Sequence, residues 1–146
     1  PTLEALAHHY VCEGVRLVPM MDAQKGNVYA QEFTWRADGD TLTLHEESFL
    51  AILPLTEVIA RLSKTEQPVL LLGDAMQRKV DVELPVNVRL APIHARMPRA
   101  ACVGLAALTR LARGETDDPV TAVPLYLRRS EAEVLWEKRH GTEGAQ

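Results

Sequence analysis

The residues best placed to do chemistry are two aspartates that follow apolar runs. Asp22 comes after Val15–Met21, and Asp74 comes after Pro68–Leu72 with Gly73 between. If those runs are neighbouring strands, the two carboxylates share a cleft and could hold a divalent ion, as two-metal nucleases require. Such a site wants a third carboxylate, and Glu57 is the only candidate on the helix between them. The competing structural reading is that Asp22 fixes a turn and Asp74 N-caps a following helix, both common roles. An acidic domain is also a poor lone nuclease. The histidines, His8, His9, His45, His94 and His140, show no metal-ligand spacing, and the adjacent His8 and His9 would point apart on a helix. Phosphate-loop, dinucleotide-binding and nucleophile-elbow motifs are absent. Ser48, Ser63 and Ser130 sit in turn and cap contexts, so a hydrolase triad is unsupported.

These residues need elements to position them. Val15–Met21 and Asn27–Trp35 read as two strands joined by Asp22-Ala23-Gln24-Lys25-Gly26, where Gly26 can supply the positive φ of a tight reversal. The first run is almost wholly apolar, as a strand covered on both faces is. The second alternates, with Val28, Ala30, Glu32 and Thr34 on one side and Tyr29, Gln31, Phe33 and Trp35 on the other. Thr41–Ser48 makes a third antiparallel strand with Leu42 and Leu44 inward.

Helical spacing marks Leu3–Val11, capped by Thr2 and ended near Gly14, and a helix opened by Pro54 with Leu55, Val58, Ile59 and Leu62 on one face. Pro68–Leu72 is a short buried strand, residues 75–85 read as a helix, and Val86–Leu90 as another strand. The longest helical pattern runs from Pro98 to Gly114, with Gly104, Ala107, Leu108 and Leu111 on a face suited to packing on a sheet. An extended Pro119–Arg128 segment follows. A tail helix then starts at the Ser130–Glu133 capping box and carries Leu135 and Trp136. A tail with so large an aromatic either folds back on its own domain or docks on a partner.

The order of elements gives an α/β lobe over 1–128, a mixed five-stranded sheet whose antiparallel three-strand meander continues into right-handed crossovers, and a tail over 129–146. That order resembles the ribonuclease-H-like fold, the repeating lobe of the actin-like ATPases. The 146 residues are 47% hydrophobic with a formal net charge of −4, enough chain for one core and no basic footprint for nucleic acid. Cys12 and Cys102 fit no disulfide or zinc framework; both lie in apolar helical contexts and read as buried free thiols, which fits a reducing cytoplasm. No long apolar span is present, so no membrane partner is expected. The chain opens at Pro1, without an initiator Met, directly into a helix, as a fragment would.

Three stretches resemble the C-terminal lobe of the TsaB (YeaZ) family, the dimerisation subunit of the bacterial machinery that makes N6-threonylcarbamoyladenosine in tRNA. They are Thr2–Ala7 followed by Met21-Asp22-Ala23 and Gly26-Asn27-Val28-Tyr29; Gly73-Asp74-Ala75; and Pro124-Leu125-Tyr126-Leu127-Arg128 with the Glu131–Arg139 tail. They span nearly the whole chain in the family's order. Two positions depart from the pattern: Gln24 stands where the family has Arg and Asn27 where it has Glu, each losing a charge.

The resemblance implies a non-catalytic scaffold with no cofactor in this lobe alone, working in the cytoplasm beside a TsaD-type catalytic subunit and a TsaE-type ATPase. It reaches tRNA only through that complex. It also implies an N-terminal lobe upstream, carrying the helices by which the family pairs with itself or with its paralogue. Asp22, Lys25, Tyr29, Asp74, Tyr126, Arg128 and Trp136 are then packing or partner-contact candidates. A metal-dependent enzyme using Asp22 and Asp74, and a self-associating module, are the rival readings.

Overall fold

The computed structural model describes residues 2–77, 82–124, 127 and 136, in two compact units, Pro1–Thr116 and Asp117–Gln146. The first unit is built on a mixed sheet of seven strands: β1 (Arg16–Asp22), β2 (Asn27–Ala30), β3 (Phe33–Asp38), β4 (Thr41–Glu46), β5 (Ala51–Pro54), β6 (Val69–Leu72) and β7 (Val88–Leu90). Its helices are α1 (Thr2–Ala7), α2 (Leu55–Leu62) and α3 (Ala100–Ala112). β1 is the central strand. Its C-terminal half pairs antiparallel with β2, its N-terminal residues Arg16 and Leu17 pair antiparallel with β3, and its other edge runs parallel to β6, which is parallel to β7.

The seven strands occupy five places across the sheet, as the order of elements predicts. The expected strand Asn27–Trp35 is broken in two at Gln31-Glu32, and Thr41–Ser48 ends at Glu46, after which Ala51–Pro54 forms β5 opposite β2, a strand the sequence reading does not include. Side chains close the gap. The Ser48 hydroxyl accepts the Glu32 N–H at 3.0 Å, and the buried Gln31 amide donates to the Ser48 carbonyl at 3.3 Å.

Both sheet faces are covered, which is why β1 is apolar from Leu17 to Met21. Val18, Met20, Val28 and Ala30 meet Leu55, Val58, Ile59 and Leu62 of α2 on one side. Leu17, Phe33 and Trp35 meet Leu3, Leu6 and Ala7 of α1 on the other.

Several expectations are corrected. α1 stops at Ala7 rather than Val11, because the chain tightens there: His9 and Tyr10 donate to the carbonyls of Leu6 and Ala7, while the His8 ring engages the Glu4 carbonyl and meets Trp35 edge-on at 5.3 Å. Cys12 therefore lies outside the helix and half-buried, whereas Cys102 is buried on α3. Pro54 ends β5 and precedes α2 instead of sitting in its first turn. Residues 75–77 form a turn and 82–85 are irregular, so the helix expected over 75–85 is not seen among its described residues. Asn87 secures that stretch by donating to the carbonyls of Leu62, Thr65 and Gln67. In the second unit Pro119–Thr121 is a turn rather than extended chain, because the Asp118 carboxylate and carbonyl accept the N–H groups of Val120, Thr121 and Ala122. Finally, Gly104, Ala107, Leu108 and Leu111 of α3 face outward; Cys102 and Ala106 are the residues it buries.

Gly73, just past β6, permits a close approach to the backbone of β1. Its φ is +92°, and a Cβ there would lie 2.0 Å from the Met20 carbonyl oxygen. That distance is a clash of backbone with backbone, which no side-chain rearrangement relieves. Gly73→Ala is accordingly expected to cost at least about 3 kcal/mol. Gly39→Ala, at a positive φ with open space around it, should cost about 1 kcal/mol. Urea denaturation of both variants checks the contrast, and equal losses would refute the close-approach explanation.

Candidate functional site

The sheet brings Asp22 and Asp74 together at the C-terminal ends of β1 and β6, the end where open α/β sheets place ligands. The juxtaposition expected from the sequence is therefore present. What the carboxylates do there is different. Asp74 Oδ1 accepts the backbone N–H of Asp22 at 3.2 Å, and Asp22 Oδ1 accepts the N–H of Gln24 at 2.9 Å. Asp22 fixes the hairpin turn, as the structural reading holds. Asp74 ties the end of β6 to the end of β1 and does not cap a helix. Glu57, the third carboxylate such a metal site would want, forms an exposed ion pair with Arg61 at 2.5 Å on α2. Among the described residues no group of three His, Cys, Asp or Glu side chains could hold a metal ion. The carboxylates are thus engaged as backbone caps.

The hairpin between β1 and β2 is tighter than its sequence indicates. Gln24, Lys25 and Gly26 have φ of 64°, 54° and 80° in succession. Only Gly26 does so without steric cost, since a left-handed conformation is unfavourable by about 1–2 kcal/mol for an ordinary L-residue. Three features hold the turn: Ala23 N–H donates to the Asn27 carbonyl, Asn27 N–H to the Gln24 carbonyl, and the Gly26 carbonyl accepts the first N–H of α2, from Leu55, at 3.0 Å. The hairpin tip thereby caps a helix whose own N-cap residue, Pro54, provides no side-chain hydrogen bond. Lys25 is exposed at this tip. Tyr29 pairs with Met21 and Ile52 and packs half-buried against the α1 side of the sheet. Tyr126 and Arg128 lie outside the described residues; Trp136, in the second unit, is helical and exposed.

A second concavity was not foreseen. A groove of about 340 Å³ runs between α1, β3, β4 and α3, lined by Glu4, His8, Phe33, His45, Arg110 and Arg113 among others. The Arg110 guanidinium grips the Glu4 carboxylate with contacts of 2.8 and 3.4 Å, and that hydrogen bond, ahead of the opposing effect of burial, holds the guanidinium pKa up. The sequence carried one signal for this pair: Arg110 is the single charged residue of α3, and a lone charge on an apolar helix calls for a partner. Nearby, burial, followed by the charges of Arg99 and His94, pushes the His9 imidazole below its usual value. Its Nε2 is buried without a hydrogen-bond partner among the described residues. On the β3–β4 edge, the Thr34 hydroxyl and then Arg36 keep the Glu47 carboxyl acidic against the effect of burial.

No protein-family model and no curated protein sequence matches the chain. Solved structures do. YeaZ from Pseudomonas aeruginosa superposes with a TM-score of 0.62 at 21% identity, over 86% of this chain and 57% of its own. The fold is that of YeaZ. An uncharacterized protein with similarity to the peptidase YeaZ, also from P. aeruginosa, gives a TM-score of 0.61 at 21% identity, over 87% of this chain and 56% of its own. The chain thus spans a little over half the length of the YeaZ structures it matches, and what it shares with them at this identity is the fold.

If Asp74 serves the backbone, Asp74→Ala should lower stability by about 1–2 kcal/mol through the orphaned Asp22 N–H. Asp74→Asn, which retains an acceptor oxygen, should lose less than half of that. Chemical denaturation distinguishes the two, and a fully stable alanine variant would contradict the role.

Proposed function

We propose that the chain is a TsaB (YeaZ)-type lobe: a non-catalytic support for a TsaD-type catalytic subunit in the cytoplasmic complex that forms N6-threonylcarbamoyladenosine in tRNA. The observation that carries this reading is the YeaZ fold over nearly nine-tenths of the chain, with two of the three resembling stretches falling at structural joints and the third lying almost wholly outside the described residues. Thr2–Ala7 is α1, Asp22-Ala23 and Gly26–Tyr29 make the hairpin, and Gly73-Asp74 is the close approach of β6 to β1. At the two turns, the aspartates are occupied in holding backbone, a use consistent with support rather than turnover. The chain's net charge of −4 favours contact with tRNA through the assembled complex over direct binding. Among the described residues no helix is long and apolar enough to cross a membrane. The described serines, Ser48 and Ser63, bond the Glu32 N–H and the Ala60 carbonyl.

A chimera tests the proposal. The part of YeaZ that this chain does not span is joined to the chain and mixed with a purified TsaD-type subunit and a TsaE-type ATPase. Co-elution of the chimera with the TsaD-type subunit and formation of the modified adenosine are expected. A folded chimera that leaves the TsaD-type subunit eluting alone would overturn the reading.

A further inference from the structure

Charge is unevenly spread along the chain. Residues 84–114 hold five arginines and no acidic residue, although the whole chain carries 20 Asp and Glu against 16 Lys and Arg. Elsewhere guanidiniums meet carboxylates: Arg16 pairs with Glu32, Arg36 with Glu47, and Arg61 with Glu57. Arg89, Arg96 and Arg99 have no such partner among the described residues. They donate instead to main-chain carbonyls of their own stretch, Arg89 to Val86 and Val88, Arg96 to Ala91 at 2.7 Å, and Arg99 to His94 at 2.9 Å. A carbonyl fixes a guanidinium without cancelling its charge, and each guanidinium keeps donors that these bonds do not use.

The three lie along one border of the fold. β7 carries Arg89 and is the last strand on the β6 side of the sheet, pairing among the described residues with β6 alone. It leads through a short 3-10 turn, Ile93–Ala95, into the residues before α3, where Arg96 and Arg99 stand. Arg89 and Arg99 are exposed and Arg96 is half-buried. The positive potential extends to the turn after α1, since the His9 imidazole is lowered by burial first and then by Arg99 and His94. Among these cations Ile93 and Met97 are 76% and 56% exposed.

Guanidiniums of this kind attract carboxylates and phosphates alike. The surrounding composition decides between them. Residues 84–114 contain no aromatic side chain on which a base would stack and no lysine. Arginine and methionine beside exposed aliphatic side chains, without lysine, are the makeup of a protein interface.

From these observations we infer that the β7 border and the lead-in to α3 dock a protein segment bearing both carboxylates and apolar side chains. Its carboxylates meet Arg96 and Arg99, and its apolar side chains cover Ile93 and Met97. The inference stands independently of the tRNA-modification reading.

Three fluorescent peptides test it on the whole chain: one of glutamate and leucine, one of lysine and leucine, and one of glutamate and serine. The glutamate–leucine peptide should bind roughly tenfold tighter than either of the others by fluorescence anisotropy. Arg99→Glu and, separately, Ile93→Ser should each weaken it several-fold at unchanged Tm. Arg36→Ala, across the sheet on β3, should leave its affinity as it was. Equal affinity for the glutamate–leucine peptide and either of the others would overturn the inference, as would binding that Arg99→Glu and Ile93→Ser leave intact or that Arg36→Ala weakens equally. So would tighter binding of a uridine oligonucleotide of equal charge, which assigns the surface to nucleic acid. A light-scattering mass of two chains that Arg99→Glu returns to one would overturn it too, in favour of self-association.

Discussion

The contact on which the rest of the structure depends is the approach of Gly73 to the backbone of Met20. It lets β6 run flush beside β1 to the end of the ladder, where Pro19 pairs with Leu72. Immediately beyond, Asp74 closes the same seam by accepting the N–H of Asp22. One residue without a side chain and the next with a short carboxylate thus bring two chain segments 52 residues apart into register. The hairpin after Asp22 inherits its position from that seam and passes it on, through the Gly26 carbonyl, to the N-terminus of α2. The C-terminal end of the sheet is therefore a chain of backbone caps linking β6, β1, the hairpin and α2.

That arrangement bears on function because the same place in an open α/β sheet usually carries the chemistry. Two carboxylates converge here, but each spends an oxygen on an N–H group that the strand ends would otherwise leave unpaired. Burying such a donor without a partner costs more than the hydrogen bond returns, so the demand of the backbone is a strong competing use for the side chain. A lobe whose strand-end acids are committed in this way spends them on holding its own backbone, which is consistent with the supporting role proposed above.

Much of this was legible in the sequence, and for identifiable reasons. The apolar run of β1, the 3.6-residue period of α2 and the alternation of Tyr29, Phe33 and Trp35 each report burial, which hydrophobicity records directly. The breaks in the meander were not legible. They depend on the long-range bonds of Gln31, Glu32 and Ser48, whose residue types look the same in an unbroken strand. The left-handed Gln24 and Lys25 are hidden by the neighbouring Gly26, whose residue type alone accounts for a turn. In α3 the apolar positions were recognised, yet the wrong side was assigned to the sheet. In a helix apolar all round, composition cannot choose the inner face, and the choice fell to the Glu4–Arg110 pair. At Asp74 the sequence supplied the residue and its neighbour but not the atom that it bonds.

The most direct measurement is a Mn²⁺ titration of the chain followed by amide NMR. With Asp22 and Asp74 committed to backbone N–H groups, the amide signals of Asp22, Gln24 and Asp74 should broaden no more than those of exposed acidic turns such as Asp117-Asp118. Saturable broadening centred on Asp22 and Asp74, and abolished by Asp74→Asn, would contradict the structural role and restore a metal site to this end of the sheet.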